Sequence, residues 1–173
     1  MRKHSLLTVL LSAGFIGGCA SVSDSGPKAE ARLASTAGNQ ASGVVSFARV
    51  GDKVRVIAEI SGLTPGAHGF HVHEKGDCSA PDGTSAGGHF NPGGKGHGHP
   101  DQGEHHAGDL PQLIADGNGV ARFTAYSAAL SIGTGEGNVI GRSVVVHANA
   151  DDFKSQPAGN SGPRVACGVI AAK

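Results

Sequence analysis

Tryptophan is absent from the 173 residues, and tyrosine and methionine occur once each. Charge is scarce as well: 16% of residues are Asp, Glu, Lys or Arg, with 14 basic groups set against 14 acidic ones. That balance removes the electrostatic case for a nucleic-acid binder, which carries a marked basic excess. The low charge density also argues against a charge-rich disordered chain. Leucine is scarce, while glycine contributes 29 residues without the every-third-residue repeat of a collagen-like fibre. Such a composition points to strands joined by many turns. Histidine is the abundant exception, with nine of the ten falling between His68 and His147.

The chain opens on a basic Met1-Arg2-Lys3, followed by an apolar run from Leu6 to Ile16. This is the length of a signal-peptide core and well short of the roughly twenty apolar residues needed to cross a bilayer. The run ends in Ile16-Gly17-Gly18-Cys19, which resembles the lipobox of bacterial lipoproteins and implies lipidation of Cys19. An ordinary secretory signal cut nearby is the alternative, and both imply export. The expected division is a lipoprotein signal peptide over 1–18, a lipidated cysteine and flexible tether over 19–34, and a folded domain over 35–173. The segment from Ala20 to about Glu30 has no apolar period, as a tether requires. Without residues 1–18 the chain loses Arg2 and Lys3 and no acid, leaving 12 basic and 14 acidic groups, a net charge of −2. If Cys19 carries lipid, Cys78 and Cys167 are left to pair in an oxidising compartment; two buried free thiols are the alternative.

Lys53 to Ser61 alternates, with Val54, Val56, Ala58 and Ile60 on one face, and so predicts a half-buried strand. Val44–Val50 precedes it across Gly51-Asp52, a hairpin turn signal. A second unit is expected over Leu110–Ala115 and Val120–Tyr126 across Asp116-Gly117-Asn118-Gly119, with further strands at Ser143–His147 and Val165–Ala171. No stretch has a convincing helical period, so an antiparallel barrel or sandwich is the natural architecture.

Between His73 and Leu110 lie 36 residues with almost no apolar content. Ordering such a loop costs about 1–2 kcal/mol per residue, so something other than a core must tie it down. Cys78 is one tie; a metal held by residues among His89, His97, His99, His105, His106 and Asp109 is another. In Gly69-Phe70-His71-Val72-His73 a strand places His71 and His73 on one face and Phe70 and Val72 on the other. His147 closes the Val144-Val145-Val146 run and offers a third imidazole from a distant strand. Taken singly, each of these histidines is also what a solvated strand face or strand end would carry.

GFHVHEKGDC, GGHFNP, His106-Ala107-Gly108-Asp109 followed by Leu110, VVHANADD and PRVACGVIA occur in this order. Together they resemble the bacterial copper/zinc superoxide dismutases, over about residues 35–173. The resemblance implies an all-β, immunoglobulin-like Greek-key barrel or sandwich of eight strands with two long functional loops. It implies that His71, His73, His89 and His147 bind copper and that His89, His97, His106 and Asp109 bind zinc, His89 being shared between the two ions. The reaction implied is dismutation of superoxide to dioxygen and hydrogen peroxide, copper cycling between Cu(II) and Cu(I) while His89 carries a proton. Arg164 is implied as the cation that attracts and orients the anion. Asp151 is implied as the carboxylate joining His71 to His97, adjacent Asp152 being an equal candidate by count. Choosing His106 over His105 for zinc rests on the His-x-x-Asp spacing, which leaves His99 and His105 surplus. Members of the family occur as monomers and as homodimers, and the implied membrane attachment is through the N-terminal lipid alone.

Overall fold

The computed structural model describes residues 26–173, so the expectations for the signal peptide and for Cys19 fall outside the described residues. Nine strand segments follow in order: β1 (Lys28–Ser35), β2 (Ser42–Val50), β3 (Lys53–Ser61), β4 (Gly66–His68), β5 (Phe70–His73), β6 (Leu113–Ala115), β7 (Ala121–Ser127), β8 (Ser143–His147) and β9 (Arg164–Ala172). Among the described residues the single helical element is a 3-10 turn at Thr84–Ala86. β4 and β5 are separated by Gly69 alone, so they form one strand broken at a glycine, and the nine segments count as eight strands.

Alternation builds the sheet. In β3, Val54, Val56, Ala58 and Ile60 are buried while Ile57 and Glu59 between them are exposed. β1 does the same with Ala29, Ala31 and Leu33 inside. The expected tether is corrected over its last part: residues 28–34 are a sheet strand hydrogen-bonded to β2 on one side and β9 on the other. Its inward positions are mostly alanine, and burial of these small side chains still removes apolar surface from water at about 25 cal/mol per Å².

The main sheet runs β5-β8-β9-β1-β2-β3-β7, each pair antiparallel. β2 and β3 form the expected hairpin in a register from Val50↔Lys53 to Ser42↔Ser61. The second hairpin is corrected. The Asp116–Gly119 turn closes as a turn should, but β6 is only Leu113–Ala115 and pairs with β4 instead of β7. This small ribbon bridges the two edges of the large sheet, since β4 leads into β5 and β6 leads into β7. The result is a Greek-key barrel whose interior is filled by Phe47, Phe70, Ile60, Leu110, Leu113 and Ile170 and by valines of β2, β3, β5 and β8. Phe70 and Phe123 meet edge to face with centroids 5.3 Å apart.

The long loop between β5 and β6 is tied to the free edge of β5. Val72 donates its N–H to Gly108 O at 2.9 Å and accepts from Phe90 N at 2.8 Å, and Glu74 donates to Gly88 O at 2.9 Å. Gly108 is glycine by necessity, because a Cβ there would overlap the Val72 carbonyl oxygen. The Cys78–Cys167 disulfide, Cα atoms 5.8 Å apart, fastens the first part of the same loop to β9 over a small satellite core of Ala86 and Val145.

A candidate dinuclear metal centre

His71 and His73 point to one face of β5, and His147 at the end of β8 lies beside them, its Nε2 3.4 Å from His73 Nε2. The docked loop limbs add His89 opposite His73 and Asp109 opposite His71 as isolated bridges to the strand. Two buried donor groups result. One is His71, His73, His89 and His147; the other is His89, His97, His106 and Asp109; within each, the donor atoms all lie within 4.8 Å of one another. His89 belongs to both.

In the second group Asp109 Oδ1 is 2.8 Å from His89 Nδ1, 3.0 Å from His97 Nδ1 and 3.3 Å from His106 Nδ1, and the His89 and His106 Nδ1 atoms are 3.3 Å apart. A tetrahedral zinc ion with bonds of about 2.0 Å has donor–donor edges of about 3.3 Å, so these four atoms already stand near a zinc polyhedron. The other oxygen, Oδ2, accepts the backbone N–H groups of His106 at 2.8 Å and Gly98 at 3.2 Å, which fixes the carboxylate plane.

In the first group the back of each ring is engaged. His73 Nδ1–H donates to Gly87 O at 2.9 Å and His147 Nδ1–H to Gly162 O at 3.0 Å, which leaves both Nε2 lone pairs free. His71 Nε2–H donates to Asp151 Oδ2 at 2.6 Å. His71 Nδ1 and His89 Nε2 are buried with no protein partner. Buried nitrogens without a partner cost stability unless something coordinates them, and imidazole donors suit copper. The residues therefore fit both ions.

Asp151 and not Asp152 is the connecting carboxylate. Its Oδ1 accepts from His97 Nε2 at 2.9 Å while Oδ2 holds His71, whereas Asp152 caps its own loop through Lys154 N, Ser155 N and Ser155 Oγ. Arg164 opens β9 opposite His147 and donates from Nη1 to Gly83 O and from Nη2 to Gly87 O, both at 2.6 Å. Gly87 O thus serves His73 and Arg164 together. Arg164 and Gly162 also line a cleft of about 370 Å³.

Burial pushes the first group's imidazoles down: His71 to about 3 and His147 to about 4, with His73 and His89 also lowered. All four are neutral at pH 7, as metal ligation requires. Burial works against the charge on His97 too, but hydrogen bonds to Asp109 and Asp151 overcome it and raise the ring to about 9. Hydrogen bonds from His106, His89 and His97 hold Asp109 ionised against its burial, and those from His71 and His97 do the same for Asp151.

Of the surplus histidines, His99 packs edge-on against Phe153 at 4.5 Å and His105 Nδ1 donates to His106 O at 2.7 Å; neither belongs to a donor group. His68 is buried at the end of β4, its two nitrogens on the carbonyls of His147 and Thr64 at 2.7 and 2.8 Å. The carbonyls of Gly87 and Gly162 and the amide of Gln156 were not among the site groups expected from sequence. Backbone acceptors and a loop glutamine carry no residue-type signal.

A barrel that presents four imidazoles and, sharing one ring with them, three imidazoles and a carboxylate defines a class: a dinuclear metalloprotein with one closed tetrahedral site. The family model for copper/zinc superoxide dismutase (SODC) matches residues 41–170. The chain is 46% identical over 136 residues to "Superoxide dismutase [Cu-Zn]" of Paramecium bursaria Chlorella virus 1, covering 74% of this chain and 71% of the viral protein. It is 44% identical over 135 residues to "Superoxide dismutase [Cu-Zn] 2" of Brassica juncea, covering 74% and 88%. Among solved structures, the crystal structure of the clock protein EA4 superposes with a TM-score of 0.75 at 43% identity, covering 83% of this chain and 93% of that one. The chain belongs to the copper/zinc superoxide dismutase family. It is an oxidoreductase that dismutes superoxide, with copper and zinc as cofactors.

Proposed function

We propose that His71, His73, His89 and His147 hold copper, that His89, His97, His106 and Asp109 hold zinc, and that Arg164 admits and orients the anion. The observation that carries this assignment is the His89 ring, whose Nδ1 lies 2.8 Å from Asp109 Oδ1 while its Nε2 is buried without a partner. Bound copper supplies a one-electron redox couple, and bound zinc a fixed positive charge in a closed shell.

The chain's own contribution is to set where protons and charges sit. The Gly87 and Gly162 carbonyls and the Asp151 carboxylate take the ring N–H groups of His73, His147, His71 and His97, and so turn the opposite nitrogen of each ring to the ions. With Nδ1 committed to the Asp109 side, Nε2 is the atom of His89 at which a proton is held and released. Arg164 is clamped at two points, which leaves its remaining N–H groups in fixed directions for a small anion. Because residues 19–173 carry a net charge of −2, attraction must come from this local cation and not from the molecule as a whole. The protein loaded with copper and zinc is expected to suppress superoxide-driven reduction of cytochrome c; a protein holding both metals without suppression is a metal carrier instead.

The proposal extends to location: a bacterial lipoprotein-type enzyme, exported to the periplasm or cell envelope and anchored to a membrane through lipid on Cys19. Support comes from the basic start, the apolar run and the Gly-Gly-Cys that ends it, together with a Cys78–Cys167 disulfide of the kind that persists in oxidising compartments. Labelled palmitate should enter the wild-type chain and not Cys19→Ala; equal labelling of both contradicts the anchor.

A further inference from the structure

Of the four residues assigned to zinc, His89 and Asp109 sit on bridges to β5 and His106 accepts from the Asp109 N–H in a turn, whereas His97 has neither kind of hold. It lies between Gly96 and Gly98 in a stretch outside any strand or helix. Among the described residues its backbone N–H and C=O make no bond to another backbone group; both go to one side chain. The His97 N–H donates to Gln156 Oε1 at 2.8 Å, and Gln156 Nε2 donates to His97 O at 2.9 Å.

We infer that Gln156 is a positioning residue for the zinc group, gripping the His97 backbone as a neighbouring strand would so that both ring nitrogens of His97 reach their carboxylates at once. A primary amide is suited to this because it carries the donor and the acceptor of a peptide group side by side. The grip has to be accurate. His97 Nδ1 must stand 3.0 Å from Asp109 Oδ1 while Nε2 stands 2.9 Å from Asp151 Oδ1, and a rotation of the backbone trades one contact for the other.

The same loop supplies both holds on His97, Asp151 on the ring and Gln156 on the backbone. That loop is internally braced: Asp152 accepts from Lys154 N, Ser155 N and Asn160 Nδ2, and Gly159 N donates to Ser155 O at 2.7 Å. Gly159 belongs to the device, since a Cβ there would overlap the Asp151 carboxylate. Gln156 is exposed on its outer side, which explains how an ordinary-looking loop glutamine hides this role. It touches no ion and acts only through His97.

The inference rests on the assignment of His97 to zinc. Its test is Gln156→Met, which keeps the length of the side chain and removes both hydrogen bonds, compared with wild type in the full chain. Metal-free protein is titrated with zinc against a competing chelator and, separately, with cobalt(II), whose ligand-field bands report donor geometry. Outer groups of this kind set metal affinity within about 10–100-fold. The exposed position puts the expected loss for Gln156→Met near the lower end, about tenfold, with shifted cobalt bands and an intact disulfide. Unchanged affinity and unchanged bands overturn the inference, as does a lower melting temperature of equal size in metal-free and loaded forms with affinity intact. If wild type itself gives no cobalt spectrum of nitrogen–oxygen donors, the zinc assignment falls and takes this inference with it.

Discussion

Replacing Asp151 with asparagine separates charge from shape at the point where the two metal groups meet. The carboxylate accepts from His71 Nε2 at 2.6 Å and from His97 Nε2 at 2.9 Å, with both partners buried. If His71 Nδ1 faces copper and His97 Nδ1 faces zinc, both Nε2 atoms carry hydrogen, and the residue between them must accept twice. Asparagine accepts once and turns an NH₂ group toward the other ring. Oδ1 also accepts the Phe153 N–H at 2.7 Å, so two donors hold the amide oxygen on the His97 side, which leaves His71 facing a donor. That ring must either bury an unpaired N–H or move its proton to Nδ1, where it blocks copper. A hydrogen bond to a charged group contributes about 1.5–3 kcal/mol, and orphaning a buried donor costs about 1–3 kcal/mol. A loss near 3 kcal/mol is about a hundredfold in copper affinity. Competition titration with a chelator should therefore find Asp151→Asn weaker for copper by about two orders of magnitude and weaker for zinc by much less. Copper affinity within twofold of wild type would refute the reasoning.

Neutralising Arg164 as Gln should lower kcat/KM by about tenfold at low ionic strength and flatten its dependence on salt, because a fixed local cation speeds encounter with an anion; stopped-flow or pulse-radiolysis rates that match wild type across salt would count against its role. Cys78→Ser opens a link of sequence separation 89 and should lower stability by about 4.6 kcal/mol on the loop-entropy estimate, read as a lower urea midpoint together with slower turnover as the Gly83–Gly87 hold on Arg164 loosens; an unchanged midpoint contradicts this. In the metal-free protein, His71 and His147 have folded values of about 3 and 4, below the unfolded value of about 6.5. The unfolded chain therefore takes up these protons first, and the stability present above pH 6.5 is lost as pH falls toward 4, by about 3 kcal/mol for His147 alone. His97, raised to about 9, has the opposite sign: its contribution is full below pH 6.5 and is lost as pH rises through 9. Urea midpoints of the metal-free protein should thus fall on both sides of a maximum near pH 6.5, and a midpoint independent of pH from 4.5 to 9 would defeat the assignment of these rings as buried and metal-free.

Much of the barrel could be read from side-chain period. β3 was legible because valine, alanine and isoleucine alternate with Lys53, Arg55 and Glu59, and β5 because Phe70 and Val72 alternate with two histidines. β1 is hard to read because alanines occupy two of its inward positions and Ser, Asp, Gly and Pro precede it; the alternation of Lys28, Glu30 and Arg32 with Ala29, Ala31 and Leu33 is present but weak. The pairing of β6 with β4 was illegible for a different reason. A turn signal identifies where the chain reverses, not which edge a three-residue strand will join, and barrel closure decides that. At the site, residue types in order identified the donors, and spacing separated His106 from His105, but two adjacent aspartates were separable only in three dimensions. Asp151 and Asp152 are the example: one faces two imidazoles and the other its own loop. The acceptors behind His73 and His147 are backbone carbonyls and leave no mark in a sequence at all.

The central claim is that one imidazole joins two different ions, and crystals of the protein loaded with both metals test it most directly. Anomalous difference maps collected on either side of the copper and zinc absorption edges should give two peaks flanking His89, zinc on the Nδ1 side with His97, His106 and Asp109, and copper on the Nε2 side with His71, His73 and His147. A single peak, or two peaks of which only one has a nitrogen of His89 within bonding distance, would contradict the account.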